Sequence, residues 1–366
     1  MAENSTSSRR RSSSRRRGSQ TSDRAQNPSA IQQLAYRHIH NWISPIEPVS
    51  PDAVDRIHQA ALKLLEEVGM EVLGQSARAC LLSAGAEMHP IADGVRMRFD
   101  RDFVEQMVKL APAEFILHAR NPEHSVQMGG QAMVFSPVSS APNAQDLDGG
   151  RRQGNIVDFR NFVRLGQSLN CIHVFGGYPV EPADRDVKTR HLDSIADFIK
   201  LSDKPFHAYS LGYQRITDGI ELARLNRGIS HEQLHDEASL ITIINTNSPL
   251  KLDDPMGVGI MEMAKAGQAI CITPFTLSGA MAPVTIPGAL VQQHAEFMVG
   301  LCLAQAARPG AKVIYGSFTS NVDMKSGAPA FGTPEYVRAT QISGQLARKL
   351  GVPLRTSNSN AGNFPD

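Results

Sequence analysis

No apolar run in this 366-residue chain approaches the roughly eighteen residues that a membrane-crossing helix needs, so the sequence reads as that of a soluble protein. Its N-terminus lacks the apolar core of a secretory signal, which argues against export. Only four cysteines are present, Cys80, Cys171, Cys271 and Cys302, mostly within apolar runs and with no Cys-x-x-Cys pair. They read as buried, reduced thiols in a cytoplasmic protein. His, Cys and carboxylate residues do not cluster at metal-ligand spacing, so no metal is expected and a zinc-activated nucleophile is excluded. No Gly-x-Ser-x-Gly elbow, phosphate-binding loop or dinucleotide fingerprint follows an apolar run; Gly176-Gly177 lacks the third glycine and the helix start. Charge is nearly balanced, +1 overall, which gives no bias toward membranes or acidic partners.

What the chain does have is a repeating module, an apolar β-type run followed by a helical stretch. Seven such runs occur: Val134–Val138, Cys171–Tyr178, Pro205–Ser210, Leu240–Asn245, Ile270–Thr276, Lys312–Ser317 and Pro353–Ser357. Strands alternating with helices at this spacing imply βαβ units and a parallel sheet, and a long series of them implies an α/β fold of the TIM-type (βα) barrel class. A closed barrel of this kind has eight strands. The expectation is therefore a barrel over residues 131–366 that lacks its last module, as in a truncated product.

Two further regions precede the barrel. Residues 1–24 carry seven arginines among serines with almost no apolar residue, so residues 1–40 are expected to form a disordered Arg/Ser-rich tail. Arginine runs neutralise phosphates, but a solvated tail is the simpler reading and no nucleic-acid partner is expected. Residues 46–130 read as an α+β cap. Pro51–Val68 places Val54, Ile57, Ala61, Leu64, Leu65 and Val68 on one helical stripe, with Ser50 as N-cap and Gly69 as stop. Helices are also expected at Gln75–Ala84 and Arg101–Leu110, with short strands at Glu71–Leu73, Val95–Phe99 and Phe115–Ala119.

Barrel enzymes place their chemistry at the C-terminal ends of the strands. That rule singles out Ser136 and Ser139 with the polar loop Asn143–Arg152, then His173, Phe175 and Tyr178, then His207 and Tyr209. Asn245 and Asn247 follow, then Gly279, then Tyr315, Gly316 and Ser317. His207 and His173 are the acid or base candidates. His294 and Glu296 stand out within the apolar helix Ile286–Ala307, where a structural role is the simpler reading. Glycines at strand ends let a large planar cofactor approach the backbone, which points to Gly279, Gly316 and the adjoining Ser317.

Thr276–Tyr336 (TLSGAMAPVTIPGALVQQHAEFMVGLCLAQAARPGAKVIYGSFTSNVDMKSGAPAFGTPEY) is similar to the trimethylamine methyltransferase family, the corrinoid-dependent methylamine and quaternary-amine methyltransferases. Ile244–Asp254 and Pro51–Val72 carry the resemblance further, over about residues 45 to 366. It implies a barrel that holds a small methylated amine at its mouth while a separate corrinoid protein docks above. No permanently bound cofactor is implied; the corrinoid is presented by its own protein. A homo-oligomer is expected.

Archaeal members of that family carry a pyrrolysine followed by Ser-Asp-Ala-Lys-x-Pro-Asp. Aligning this Pro-Asp with Pro365-Asp366 sets Ser359 at the pyrrolysine position. The resemblance thus marks Ser359, with a catalytic position, and Asn360 as pocket residues. Without pyrrolysine a quaternary amine such as glycine betaine becomes the expected substrate, because loss of a methyl group releases a neutral tertiary amine. Trimethylamine is the alternative; an inactive fragment or an arginine-tail nucleic-acid binder is the non-enzymatic one. A quaternary cation is held by aromatic faces, for which Phe175, Tyr178, Tyr209 and Tyr315 are the candidates. Asn245, Asn247 and His207 are available to orient a polar substituent.

Overall fold

A computed structural model describes residues 32–91 and 94–357. Contacts divide the chain into two compact units, Met1–Ala35 and Tyr36–Asp366. Of the first unit only residues 32–35 are described, and they form no helix or strand. The Arg/Ser-rich stretch lies outside the described residues.

In the second unit, helices start where the sequence supplies caps. Helix α1 (Pro51–Glu67) opens with Ser50 Oγ accepting from Ala53 N at 3.3 Å and buries Val54, Ile57, Ala61 and Leu65. Helix α2 (Gln75–Ala84) stops at Gly85, whose φ of 115° suits glycine. Asp100 caps α3 (Arg101–Leu110). Helices α4 (Ile156–Ser168), α5 (Arg190–Leu201), α6 (Tyr213–Arg227), α7 (His231–Asp236), α8 (Asp254–Lys265), α9 (Ile286–Ala307) and α10 (Pro334–Leu350) follow.

The central sheet has strands β1 (Phe206–His207), β2 (Leu240–Ile244), β3 (Ala269–Ile272), β4 (Val313–Gly316) and β5 (Leu354–Arg355), in the same order in space as along the chain. Every neighbouring pair is parallel. Each connection runs through one or two helices, which is the order of a βα barrel. The first two expected strands are corrected to extended chain. Phe175 makes a single parallel bridge to Phe206, and the N–H groups of His173 and Val174 both donate to the Phe135 carbonyl, at 2.9 and 3.3 Å. Pro137, Gly176, Gly177 and Pro179 interrupt the ladder there. The other five runs are shorter than expected for the same reason at β5, where Pro353 precedes the strand.

Because β2, β3 and β4 are apolar on both faces, alternation decides what each residue meets. Ile241, Ala269, Cys271 and Ile314 point inward, into one apolar cluster with Val174. Leu240, Ile244, Ile270, Ile272, Val313 and Tyr315 point outward to the helices. Helix α9 buries 16 of its 22 residues because it is covered on two sides: by the sheet, where Gly300 admits Ile272, and by α1, α2 and α3.

The expected cap therefore divides its work. Its helices cover α8 and α9, and its strand Glu71–Val72 pairs parallel with Lys251–Leu252. The hairpin Glu114–Leu117/Val126–Gly129 instead inserts Phe115, Leu117, Val126 and Met128 into the inward-facing cluster. His118 N donates to Ala238 O at 2.7 Å, ahead of β2, so the hairpin closes the lumen at the N-terminal ends of the strands.

Two boundaries change. Ile39–His40 pairs antiparallel with Ala132–Met133, so residues 36–40, expected in the tail, join the folded unit. Tyr36 and Ile39 give this stretch the apolar surface that the arginine-rich part lacks. The loop Asn143–Arg152 is a hairpin, Asn143–Asp146 against Gly150–Gln153. Among the described residues no helix is long and apolar enough to cross a membrane.

Candidate active site

Strand register builds the lumen rung by rung. Cys271 faces Ile314 across β3 and β4, an offset of 314 − 271 = 43 residues. Above the sheet, Leu277 faces Ser320, and 320 − 277 is again 43. The intervening inward positions are therefore the Thr273–Gly316 rung and, above it, the Phe275–Phe318 rung. Gly316 also faces Arg355 of β5, which adds Arg355 to the lower rung. On the other side Thr273 N donates to Ile244 O at 2.7 Å, so Asn245 follows as the inward residue at the exposed end of β2.

Gly316 is required for packing. A Cβ there would overlap Thr273 Oγ1 and lie 2.6 Å from the Ile272 carbonyl oxygen. Thr276 and Thr319, the alternate residues, turn outward: their hydroxyls bond to each other, and Thr319 Oγ1 donates to Gln293 Oε1 of α9 at 2.5 Å. This outward tie fixes the inward direction of Phe275 and Phe318.

The inward rings form an aromatic wall at the mouth. Phe275 and Phe318 have centroids 5.1 Å apart, and Phe331, from the loop before α10, lies 4.9 Å from Phe318 and 6.5 Å from Phe275. All three are half-buried. Tyr336 stands edge-on to Phe331 at 5.6 Å and shares a 2.7 Å hydrogen bond with Ser357 Oγ.

Below the wall the lumen is polar but sparingly charged. His207 is 1% exposed, and neither ring nitrogen has a hydrogen-bond partner among the described residues. Burial first, and then the positive charge of Arg355, push its pKa down to about 3, so the imidazole is neutral. Its ring meets Tyr209 edge-on at 5.0 Å. Tyr209 shares a 2.8 Å hydrogen bond with Ser140, and burial raises its phenol to about 12. Arg355 is half-buried and forms no side-chain hydrogen bond or ion pair among the described residues. Its neighbour Leu354 faces outward, toward Gly344 of α10, which leaves Arg355 facing inward.

Of the residues expected at the site, His207, Tyr209, Asn245 and Gly316 do face the lumen. Tyr178 touches Tyr209 at 4.4 Å but is fully buried against Phe159 and Phe198. Phe175 and Tyr315 are corrected to the outer face. Phe175 lies 5.2 Å from Phe198 and fills the gap over Gly166, while Tyr315 stacks on Phe297 at 4.2 Å and shares its hydroxyl with His294. Asn247 is corrected to a turn residue: its amide donates to Asp253 at 3.2 Å and its Oδ1 accepts from Asp253 N at 2.9 Å. Ser317 is buried on the outward side of its rung, and Gly279 sits in an exposed turn with φ 89°. Ser359 and Asn360 lie outside the described residues.

His173 has a structural part, accepting from Phe135 N at 3.1 Å with its other nitrogen 3.2 Å from Arg37 O, at the base of the strands. Glu296 holds the loop after β2, accepting from Thr246, from Ser248 at 2.6 Å and from Leu250 N at 2.8 Å. Among the described residues no group of three or more His, Cys, Asp or Glu is arranged to hold a metal. The four thiols are free; Cys271 and Cys302 are buried, whereas Cys80 is half-buried and Cys171 exposed, which corrects the expectation of uniform burial.

Sequence reasoning missed Phe275, Phe318, Phe331 and Arg355. A signal existed for three of them. Phe275 and Phe318 each lie two residues beyond an inward strand position, and Arg355 is a lone charge inside a strand.

Residues 13–366 match the family described as Trimethylamine methyltransferase (MTTB). A glycine betaine methyltransferase of Desulfitobacterium hafniense is 38% identical over 308 residues, 84% of this chain and 63% of the relative. A proline betaine:corrinoid methyltransferase of Eubacterium limosum is 24% identical over 319 residues, 84% of this chain and 64% of the relative. The Methanosarcina barkeri monomethylamine methyltransferase has a similar fold, with a TM-score of 0.53 at 10% identity over 85% of this chain and 62% of that one. The chain thus spans less than two thirds of the length of the proteins it resembles.

Proposed function

The chain belongs to the trimethylamine methyltransferase family, and on that premise we propose that its protein takes a methyl group from a quaternary amine, glycine betaine foremost, and transfers it to the cobalt of a corrinoid carried by a separate protein. The observation that carries this reading is the wall of Phe275, Phe318 and Phe331 at the C-terminal end of the lumen. Aromatic faces attract a quaternary ammonium through their quadrupole, and a permanently charged nitrogen needs no hydrogen-bond acceptor.

The rest of the lumen suits such a substrate. Breaking the carbon–nitrogen bond sends the electron pair to nitrogen, so a quaternary nitrogen departs as a neutral tertiary amine without proton transfer. Neutral trimethylamine would instead expel a strongly basic dimethylamide, unless first protonated so that neutral dimethylamine leaves. His207, neutral at physiological pH, and Tyr209, with a raised pKa, are poor proton donors, so trimethylamine would have to enter already protonated. This chain's part is thus to orient the methyl group and to exclude water. Ser359 and Asn360 belong to this reading as pocket residues, His207 as a polar contact deeper in the lumen, and Gly279, exposed in its turn, as part of the face nearest the corrinoid; Gly316 and Ser317 serve packing instead. A cytoplasmic homo-oligomer that works in reducing conditions, with its thiols free, completes the proposal.

The test is cobalt methylation, followed by absorbance, when the protein is mixed with a reduced corrinoid protein and either glycine betaine or trimethylamine. Methylation by glycine betaine alone is expected. Methylation by trimethylamine alone overturns the substrate assignment, and methylation by neither overturns the reaction.

A further inference from the structure

Resting on the quaternary-amine reading, we infer that Arg355, seconded by His207, holds the carboxylate of the substrate, so that the lumen selects a zwitterionic betaine over a plain quaternary cation.

Two groups in the lumen lack a use within the described residues. Arg355 cannot shed its charge and presents five donors, yet no acceptor is bonded to its side chain. His207 has both nitrogens unsatisfied although only 1% of the residue is exposed. A neutral imidazole still offers one N–H. Together these groups supply donors and one positive charge, which is the complement of a carboxylate. Both positions are inward by register, His207 opposite Ile241 and Arg355 opposite Gly316, and the charge of Arg355 adds to the lowering of the His207 pKa.

Position fixes the kind of molecule. Arg355 occupies the Thr273–Gly316 rung, and the aromatic wall begins on the rung above, two residues along the strands and so about 7 Å higher. A ligand that places its cation against the rings and its carboxylate on the guanidinium must carry the two charges close together, as a betaine does when one carbon separates them. A cation without a carboxylate meets the rings with an uncompensated guanidinium one rung below. Like charges at that separation repel, more strongly where water is excluded. Arg355 is thereby a specificity residue as well as an anchor.

The experiment is calorimetric titration of the protein, without corrinoid partner, against three probes: glycine betaine, tert-butylacetate, which keeps the shape and the carboxylate without the positive charge, and tetramethylammonium, which keeps the cation alone. Replacing Arg355→Met is expected to weaken the first two by about 10- to 150-fold, the loss of a charge-assisted hydrogen bond, and to leave tetramethylammonium binding unchanged or tighter. Arg355→Lys, which keeps the charge, should recover part of the loss. Equal weakening of all three probes, or no weakening of glycine betaine, overturns the anchor. Arg355-dependent binding of tert-butylacetate without binding of either quaternary cation leaves the anion site standing and overturns the quaternary-amine reading instead. Binding of tetramethylammonium by a wild type that ignores both carboxylates does the reverse.

Discussion

His58 Nδ1 and His294 Nε2 lie 2.9 Å apart, one in α1 and the other in α9, and His294 Nδ1 lies 3.0 Å from the Tyr315 hydroxyl. Only one of the two facing nitrogens can carry hydrogen, so the contact does not survive protonation of both rings. This chain of contacts ties the N-terminal helices, the long buried helix and the sheet together.

Acid should loosen the fold through these residues and His207. Burial holds all three pKa values below the ordinary 6.5, with His207 at about 3. Above about pH 6.5 neither the folded nor the unfolded chain binds these protons, and stability is intact. As pH falls from there toward 3, the unfolded chain takes up the His207 proton and the folded chain does not, a loss of about 1.4 kcal/mol per pH unit. Urea midpoints measured from pH 8 to pH 5 should fall below pH 6.5. A flat profile contradicts the assignment.

Removing one ring of the aromatic wall should weaken every quaternary cation alike. Phe275→Ala or Phe318→Ala is expected to lower tetramethylammonium and glycine betaine affinity by about 3- to 30-fold, while Phe318→Trp retains it. Unchanged titrations for both alanine variants place the cation elsewhere.

Gly316 has no room for a methyl group. Gly316→Ala should cost about 1–3 kcal/mol in urea unfolding, because its Cβ falls on Thr273 Oγ1. Adding Thr273→Ala should restore part of that stability, and strictly additive losses count against the overlap.

Lys204 caps a helix from within. Its Nζ donates to the carbonyls of Gly166, Gln167 and Leu169, at 2.8, 3.2 and 2.9 Å, where α4 ends, and burial lowers its pKa to about 8. Lys204→Met should leave those carbonyls unsatisfied and destabilise the protein by about 1–3 kcal/mol. A melting curve that matches wild type refutes the cap.

The order of strands and helices was legible in the sequence because apolar runs, caps and stops mark elements locally. Helices α2 and α3 have the expected bounds, and β2 differs from its expected run by one residue. Which side of a strand faces the lumen was not legible. Where both faces are apolar, parity leaves no trace, and a shift of one residue exchanges inside for outside. Tyr315 and Phe175 fell on the wrong side of that choice, while Phe275, inside its expected run but not singled out, and Phe318, one residue beyond its own, fell on the right one. Arg355 needed the register with Gly316 to gain its meaning. The inserted hairpin was unreadable for a different cause: its strands alternate like those of any hairpin, and nothing local says which hollow they fill.

That hairpin has a kinetic consequence. Phe115, Leu117, Val126 and Met128 stopper the lumen at one end, and in the proposed reaction the other end among the described residues is also the face on which the methyl-accepting partner sits. On that proposal amine would enter before the partner arrives, and demethylated amine would leave only after the partner departs. Turnover would then be strictly ordered, with excess partner protein acting as an inhibitor by keeping the door shut.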